Sequence, residues 1–170
     1  MRIVTAPNEL NVRPKDVLCY IGGDVTCERD LQGEIINVLL EMERDNPHEH
    51  LVIVNPRAAD KYTEAELAAW RFYALNACDI FSMYFPNGKD QAICMYELGR
   101  GIARMMEKHP LSYWERLIIS TEHDYIYRHD VIMQISLASA LNLNAVIDMA
   151  TPQKHAHEII MAYTWATEDL

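Results

Sequence analysis

Val17-Leu18-Cys19-Tyr20-Ile21, stopped by Gly22-Gly23, is a short run of apolar residues closed by a turn signal. Such a run reads as a strand covered on both faces, the kind found in a parallel sheet. The pattern returns at Leu51-Val52-Ile53-Val54, ended by Asn55-Pro56, and at Asp79 to Phe85, closed by Pro86-Asn87-Gly88. It returns twice more, at Leu117-Ile118-Ile119 and Ala145-Val146-Ile147. Helix-like stretches lie between these runs. Asp30 to Met42 carries Leu31, Ile35, Val38, Leu39 and Met42 on one face, and Asn46-Pro47 breaks it. Thr63 with Glu66 three residues on is a capping box that opens a helix through Asn76. Met95, Leu98, Ile102 and Met105 mark a third helix to Lys108; Asp130 to Leu141 and Thr151 to Trp165 complete the series.

Strand and helix in alternation predict an α/β fold. Right-handed crossovers then give one doubly wound, flavodoxin-like sheet of five parallel strands in the order 2-1-3-4-5, with helices on both faces. Residues 1–170 read as a single domain, without internal repeats, linkers or low-complexity stretches. Ligands of such sheets bind at the carboxyl ends of the strands where strand order reverses. The loops after Ile21, Val54 and Phe85 are therefore expected around one crevice.

Half the residues are hydrophobic and the net charge is -10, which argues against a surface for duplex nucleic acid. A free nucleotide is compatible with that charge. Met1 to Leu10 lacks the apolar core of a signal peptide, and no run approaches a membrane span, so a cytoplasmic protein without a membrane partner is expected. Cys19, Cys27, Cys78 and Cys94 form no CxxC pair and read as buried free thiols. No metal and no cofactor are expected. The glycine loop is not GxGxxG, has no Walker lysine, and lacks the Ser/Thr-rich phosphate loop of a flavin protein.

Three segments carry candidate chemistry. In Tyr20-Ile21-Gly22-Gly23-Asp24 the glycines would let backbone N–H groups approach a ligand while Asp24 takes sugar hydroxyls; the alternative is a plain tight turn. In Asn55-Pro56-Arg57 an amide and a guanidinium follow a rigid turn; the alternative is a strand terminator with a solvated arginine. In Asp90 to Gly101, Glu97 falls near the start of a helix pointing into the crevice, where the helix dipole favours an ionised carboxylate. Gly99 and Gly101 weaken that helix and suggest a close approach by backbone or ligand. By itself, Glu97 also reads as a residue that only complements the dipole.

YIGGDVT, VNPR, the acidic helix with AAW, ACDIFSMYFP and YELGRGIA together resemble the nucleoside 2-deoxyribosyltransferase-like family, which includes deoxynucleoside 5′-monophosphate N-glycosidases. The resemblance spans about Val17 to Arg104 and is most specific in YELGRGIA. It implies that Glu97 attacks the anomeric carbon of a nucleoside or nucleotide, and that Tyr20 orients it. It also implies an acidic residue near the nucleobase, for which Glu66 is the best match and Glu64 competes. Gly22, Gly23, Asp24, Asn55, Arg57 and Tyr96 would bind substrate. Related enzymes complete their sites with a neighbouring subunit, so a homo-oligomer is expected. The chain departs from the family in having Asp90-Gln91-Ala92 where transferases carry aspartate-glycine-threonine, and in lacking a phosphate-binding serine before YELG. An inactive nucleotide-binding or nucleotide-sensing module is the alternative.

Remaining polar residues read as structural. Asp79 lies at the amino end of its strand, away from the crevice, and His123-Asp124 reads as a polar loop rather than an acid–base pair. His48 with His50 and His155 with His157 read as solvated surface, and Trp70, Trp114 and Trp165 as packing anchors.

Overall fold

A computed structural model describes residues 1–25, 28–58, 62–87, 92–138, 146–147 and 150–168. Cys27, Gly88, Asp90, Gln91 and the segment 139–145 lie outside the described residues. The sheet has six parallel strands: β1 (Arg2–Thr5), β2 (Val17–Gly22), β3 (Leu51–Asn55), β4 (Ile80–Phe85), β5 (Leu117–Thr121) and β6 (Val146–Ile147). Their order is β1-β3-β2-β4-β5-β6. The expected five strands keep their relative order, but the expected sheet is one strand short. The extra strand, β1, adds in parallel beyond β3, with Arg2 opposite Val52 and Thr5 opposite Asn55. An edge strand needs no continuous apolar run, and β1 is anchored partly by polar contacts. Arg2 donates to Asp16 Oδ2 (2.6 Å) and to the carbonyls of Leu10 and Asn11.

β2 to β5 are buried along their whole length. Side chains alternate between two cores. Tyr20, Val54, Phe81, Met83 and Phe85 face α2 (Glu64–Ala77), α3 (Ala92–Lys108) and α4 (Arg128–Ala138). Cys19, Ile21, Ile53, Ile80 and Tyr84 face α1 (Leu31–Asp45) and α5 (Pro152–Glu168). The capping box at α2 forms as its sequence requires: Thr63 Oγ1 accepts from Glu66 N–H while the Glu66 carboxylate accepts from Thr63 N–H. Asp30 caps α1 by accepting from Gly33 N–H. Asp79 is structural: its carboxylate accepts from Leu18 N–H and from Lys108 Nζ at the amino end of the sheet.

His48 and His155 are buried, which corrects their reading as surface. His155 shares the inner face of α5 with Ile159, Ala162 and Ala166. Ser82 Oγ lies 2.6 Å from its Nε2 and Ser120 Oγ 2.6 Å from its Nδ1. Complete burial lowers its pKa to about 3, so the ring is neutral and bridges β4 and β5 to α5. Trp70 is half-buried and donates to the Asn8 carbonyl, whereas Trp114 and Trp165 are exposed rather than anchoring.

The seat of α3 is set by Gly101. A Cβ there would lie 2.6 Å from the Phe81 ring, so the helix backbone rests directly on β4. Gly99 has open space around it, so no close approach by backbone accounts for it. The two glycines therefore respond in opposite senses to the same change. Gly101→Ala destabilises the fold by about 1–3 kcal/mol through overpacking, whereas Gly99→Ala is neutral or stabilises by up to about 1 kcal/mol through helix propensity. Urea unfolding followed by circular dichroism reads both; equal effects at the two positions would contradict this packing.

Candidate functional site

A cavity of about 630 Å³ opens between α2 and α3 near the carboxyl ends of the strands. Its walls are Glu64, Leu67, Ala68, Arg71, Phe72 and Leu75 from α2, and Ile93, Tyr96, Glu97 and Arg100 from α3. Val25, after β2, and Ala58, after β3, complete it. The volume suits a small organic ligand. Two of the three expected loops thus reach the cavity; the third, after Phe85, includes residues outside those described.

Glu97 is the buried acid of this cavity. It lies on the face of α3 that carries Gly101 and Met105 at successive i+4 steps, so the seat of Gly101 on Phe81 draws the carboxyl inward. Tyr20, stacked on Phe81 with ring centroids 6.0 Å apart, lies fully buried below it. The Tyr20 hydroxyl is buried without a hydrogen-bond partner among the described residues. Burial pushes the phenol pKa upward, and the nearby charge of Glu97 adds to the rise. Tyr20 and Glu97 are brought together, as the resemblance implied.

The ionisation of Glu97 differs from expectation. Burial raises its pKa above the ordinary 4.5, and only Arg71 and the Tyr20 hydroxyl oppose that shift. Glu97 is the sixth residue of α3, beyond the first turn where the dipole acts strongly, so desolvation prevails. Beside it, burial pushes the Cys94 thiol up to about 12, with Glu97 and Asp24 adding to the rise. Cys94 therefore stays protonated and is no nucleophile at neutral pH.

The other predicted residues divide into two groups. Tyr96 lines the cavity mouth and is 68% exposed; Asp24 is buried close enough to influence Cys94. Gly22 and Gly23 do not line the cavity, and packing explains both. A Cβ at Gly22 would meet Met83 Cε at 2.6 Å, and Gly23 adopts φ +148°, with the Gln32 side chain and Tyr84 carbonyl close by. Asn55 accepts from Arg57 N–H through its side-chain oxygen, closing a local turn. Arg57 reaches Arg29 O and Asp30 at the start of α1, away from the cavity walls. Glu66 is also placed elsewhere: its carboxylate is exposed and held in the capping box, whereas Glu64 faces the cavity. Between the two acids, Glu64 is the one positioned to meet a ligand.

Two charged cavity residues, Arg71 and Arg100, were missed in the sequence along with most of the apolar lining. Arg71 follows Leu67 and precedes Leu75 at i+4 intervals, so a charge interrupts the apolar face of α2; that interruption was the available signal. Its Nε is buried without a hydrogen-bond partner. Arg100 stacks its guanidinium 3.8 Å above the Phe72 ring and donates to Asn76 Oδ1. His123 and Asp124 pair with each other at the surface and take no part in the cavity. Among the described residues, no three His, Cys, Asp or Glu side chains are grouped to hold a metal, and no helix is long and apolar enough to cross a membrane.

A pH consequence follows from Glu97. Below pH 4.5 the residue is protonated in folded and unfolded chains alike and contributes nothing to the pH dependence of stability. As pH rises from 4.5 through the higher folded-state value, the unfolded chain releases its proton first, and stability falls. Glu97→Gln removes that penalty. The variant is expected to melt higher than wild type at pH 7, with the advantage shrinking toward pH 4; an advantage independent of pH would contradict a buried, ionisable Glu97.

No protein-family model matches the chain, and no curated protein sequence matches it. Among solved structures, the crystal structure of a conserved protein from Enterococcus faecalis V583 is similar, with a TM-score of 0.50 and 13% sequence identity. The match covers 85% of this chain and 98% of that one, and it is a likeness of fold.

Proposed function

We propose that the protein acts on the N-glycosidic bond of a nucleoside or nucleotide, with Glu97 as nucleophile. The observation that carries this reading is a buried carboxyl, Glu97, set against Tyr20 in the wall of a cavity of about 630 Å³. Apolar walls suit a planar base, and the oxocarbenium-like transition state of glycoside cleavage is stabilised by a nearby anion that then traps the sugar covalently. In the ionised form, one Glu97 oxygen bonds to the anomeric carbon as the base departs. Tyr20 holds the carboxylate from below. Water, or a second base, then releases the sugar. Glu64 takes the place of the acid near the base that the sequence resemblance implies. Asp24, Tyr96, Asn55, Arg57 and the glycine turn remain candidates for substrate contact from the adjoining loops.

A second reading, a binding module without chemistry, is favoured by one observation: burial holds the Glu97 carboxyl toward its neutral, non-nucleophilic form. The two readings separate on a panel of deoxynucleosides and deoxynucleoside 5′-monophosphates, incubated with and without an acceptor base. Base release or exchange is expected, and Glu97→Ala is expected to lower it by at least about a thousandfold, in line with removal of a covalent nucleophile. Full activity in Glu97→Ala would remove the nucleophile assignment; tight binding without turnover, unaffected by Glu97→Gln, would favour the binding module.

A homo-oligomer is part of the same proposal. Phe72, Ile93 and Tyr96 are 47%, 62% and 68% exposed at the cavity rim, apolar surface that a neighbouring subunit would cover. Light scattering coupled to size exclusion is expected to return a multimer at micromolar concentration; a strict monomer would remove this part.

A further inference from the structure

We infer that Arg71 is a specificity-determining residue that binds the acceptor edge of the departing base, so that the cavity selects bases with a carbonyl at purine C6 or pyrimidine C4 over those with an amine at that position. The inference rests on the glycosidic reading above and adds the class of base. Arg71 and Glu97 line the same cavity from facing helices. The Arg71 Nε is buried without a hydrogen-bond partner among the described residues. A buried donor left unmade is costly, and a cation in that position calls for an acceptor from the ligand. Its charge acts on Glu97, Tyr20 and Cys94 alike, so it lies near the nucleophile.

The position of that charge favours the base over a phosphate. The base leaves from the face of the anomeric carbon opposite the attacking Glu97 oxygen, with that one carbon between them, whereas a 5′-phosphate is removed from Glu97 by the sugar ring. Leu67, Ala68, Phe72 and Leu75, which surround Arg71 on α2, form an apolar wall that matches a planar heterocycle better than a hydrated anion. At purine C6 and pyrimidine C4 the bases present either a carbonyl or an amine to a guanidinium. A carbonyl there accepts, whereas the C6 amino group of adenine or the C4 amino group of cytosine donates and is repelled.

The chemistry balances without an added co-reactant. One Glu97 carboxylate oxygen forms a bond to the anomeric carbon while the glycosidic C–N bond breaks. The electron pair leaves with the base and spreads onto its carbonyl oxygen, where Arg71 neutralises the developing charge. The base anion then takes a proton from water. Arg100, held over Phe72 with its own Nε buried and unpartnered, adds a second cation to the same cavity.

The test compares deoxyinosine with deoxyadenosine and deoxyuridine with deoxycytidine, each with and without a 5′-phosphate. Deoxyinosine and deoxyuridine, with a carbonyl at C6 and C4, are expected to have the higher kcat/KM of their pairs, by about tenfold to a hundredfold, the span of a good paired base contact. Arg71→Met is expected to level the pairs, and Arg71→Lys to restore part of the difference. Calorimetric titration of the wild-type protein with free hypoxanthine, adenine, uracil and cytosine needs neither a variant nor turnover, and is expected to rank the bases the same way. Equal treatment of both members by the wild-type protein would overturn the inference, as would an Arg71→Met loss confined to the 5′-monophosphates. Glu97-dependent base release that ignores the carbonyl would overturn it while leaving the glycosidic reading in place. Selective, Arg71-dependent binding of carbonyl bases without turnover would support it and remove the catalytic reading. Neither binding nor turnover would remove both.

Discussion

The contact between the Gly101 backbone and the Phe81 ring sets the depth at which α3 lies on the sheet, and the site depends on that depth. Glu97 precedes Gly101 by one helical step and follows it inward; a side chain at 101 would lift both. Phe81 serves two partners at once, since its ring also stacks on Tyr20. The hydroxyl of Tyr20 is thereby held beneath the carboxyl that it influences. Packing in the core and polar geometry in the cavity are consequently one arrangement rather than two.

That arrangement sets burial against charge. Desolvation favours a neutral Glu97, while Arg71 and Tyr20 favour the anion. Chemistry at a sugar carbon requires the anion, and a cavity that excludes water strengthens each interaction that supports it. The balance at Glu97 therefore decides between an enzyme and a binding module. Arg71, whose charge acts on Glu97 while its Nε has no hydrogen-bond partner among the described residues, is the group through which a ligand can shift it.

Most of the fold was legible in the sequence because strands buried on both faces must be apolar throughout. β2, β3, β4 and β5 are, and their order followed from the handedness of crossovers. β1 was not legible, since four residues at a sheet edge with Arg2 anchored to Asp16 carry no such signature. His155 was misread because its neighbour His157 suggested a surface pair, whereas the i+4 step to Ile159 places it inside. At the site, YELGRGIA led to Glu97, and the Thr63–Glu66 capping box was read correctly. The same Glu66 could not then also serve the cavity. The glycine turn was read for ligand contact, but the side chains that demand it, Met83 and Gln32, are brought there only by the folded chain.

Mass spectrometry of the protein quenched during reaction with deoxynucleoside tests the account most directly, because a nucleophile at position 97 must pass through a sugar ester. The account predicts a deoxyribosyl adduct on the peptide containing Glu97, absent from Glu97→Gln. Turnover accompanied by an adduct on another residue, or unchanged turnover in the Gln variant, would contradict it.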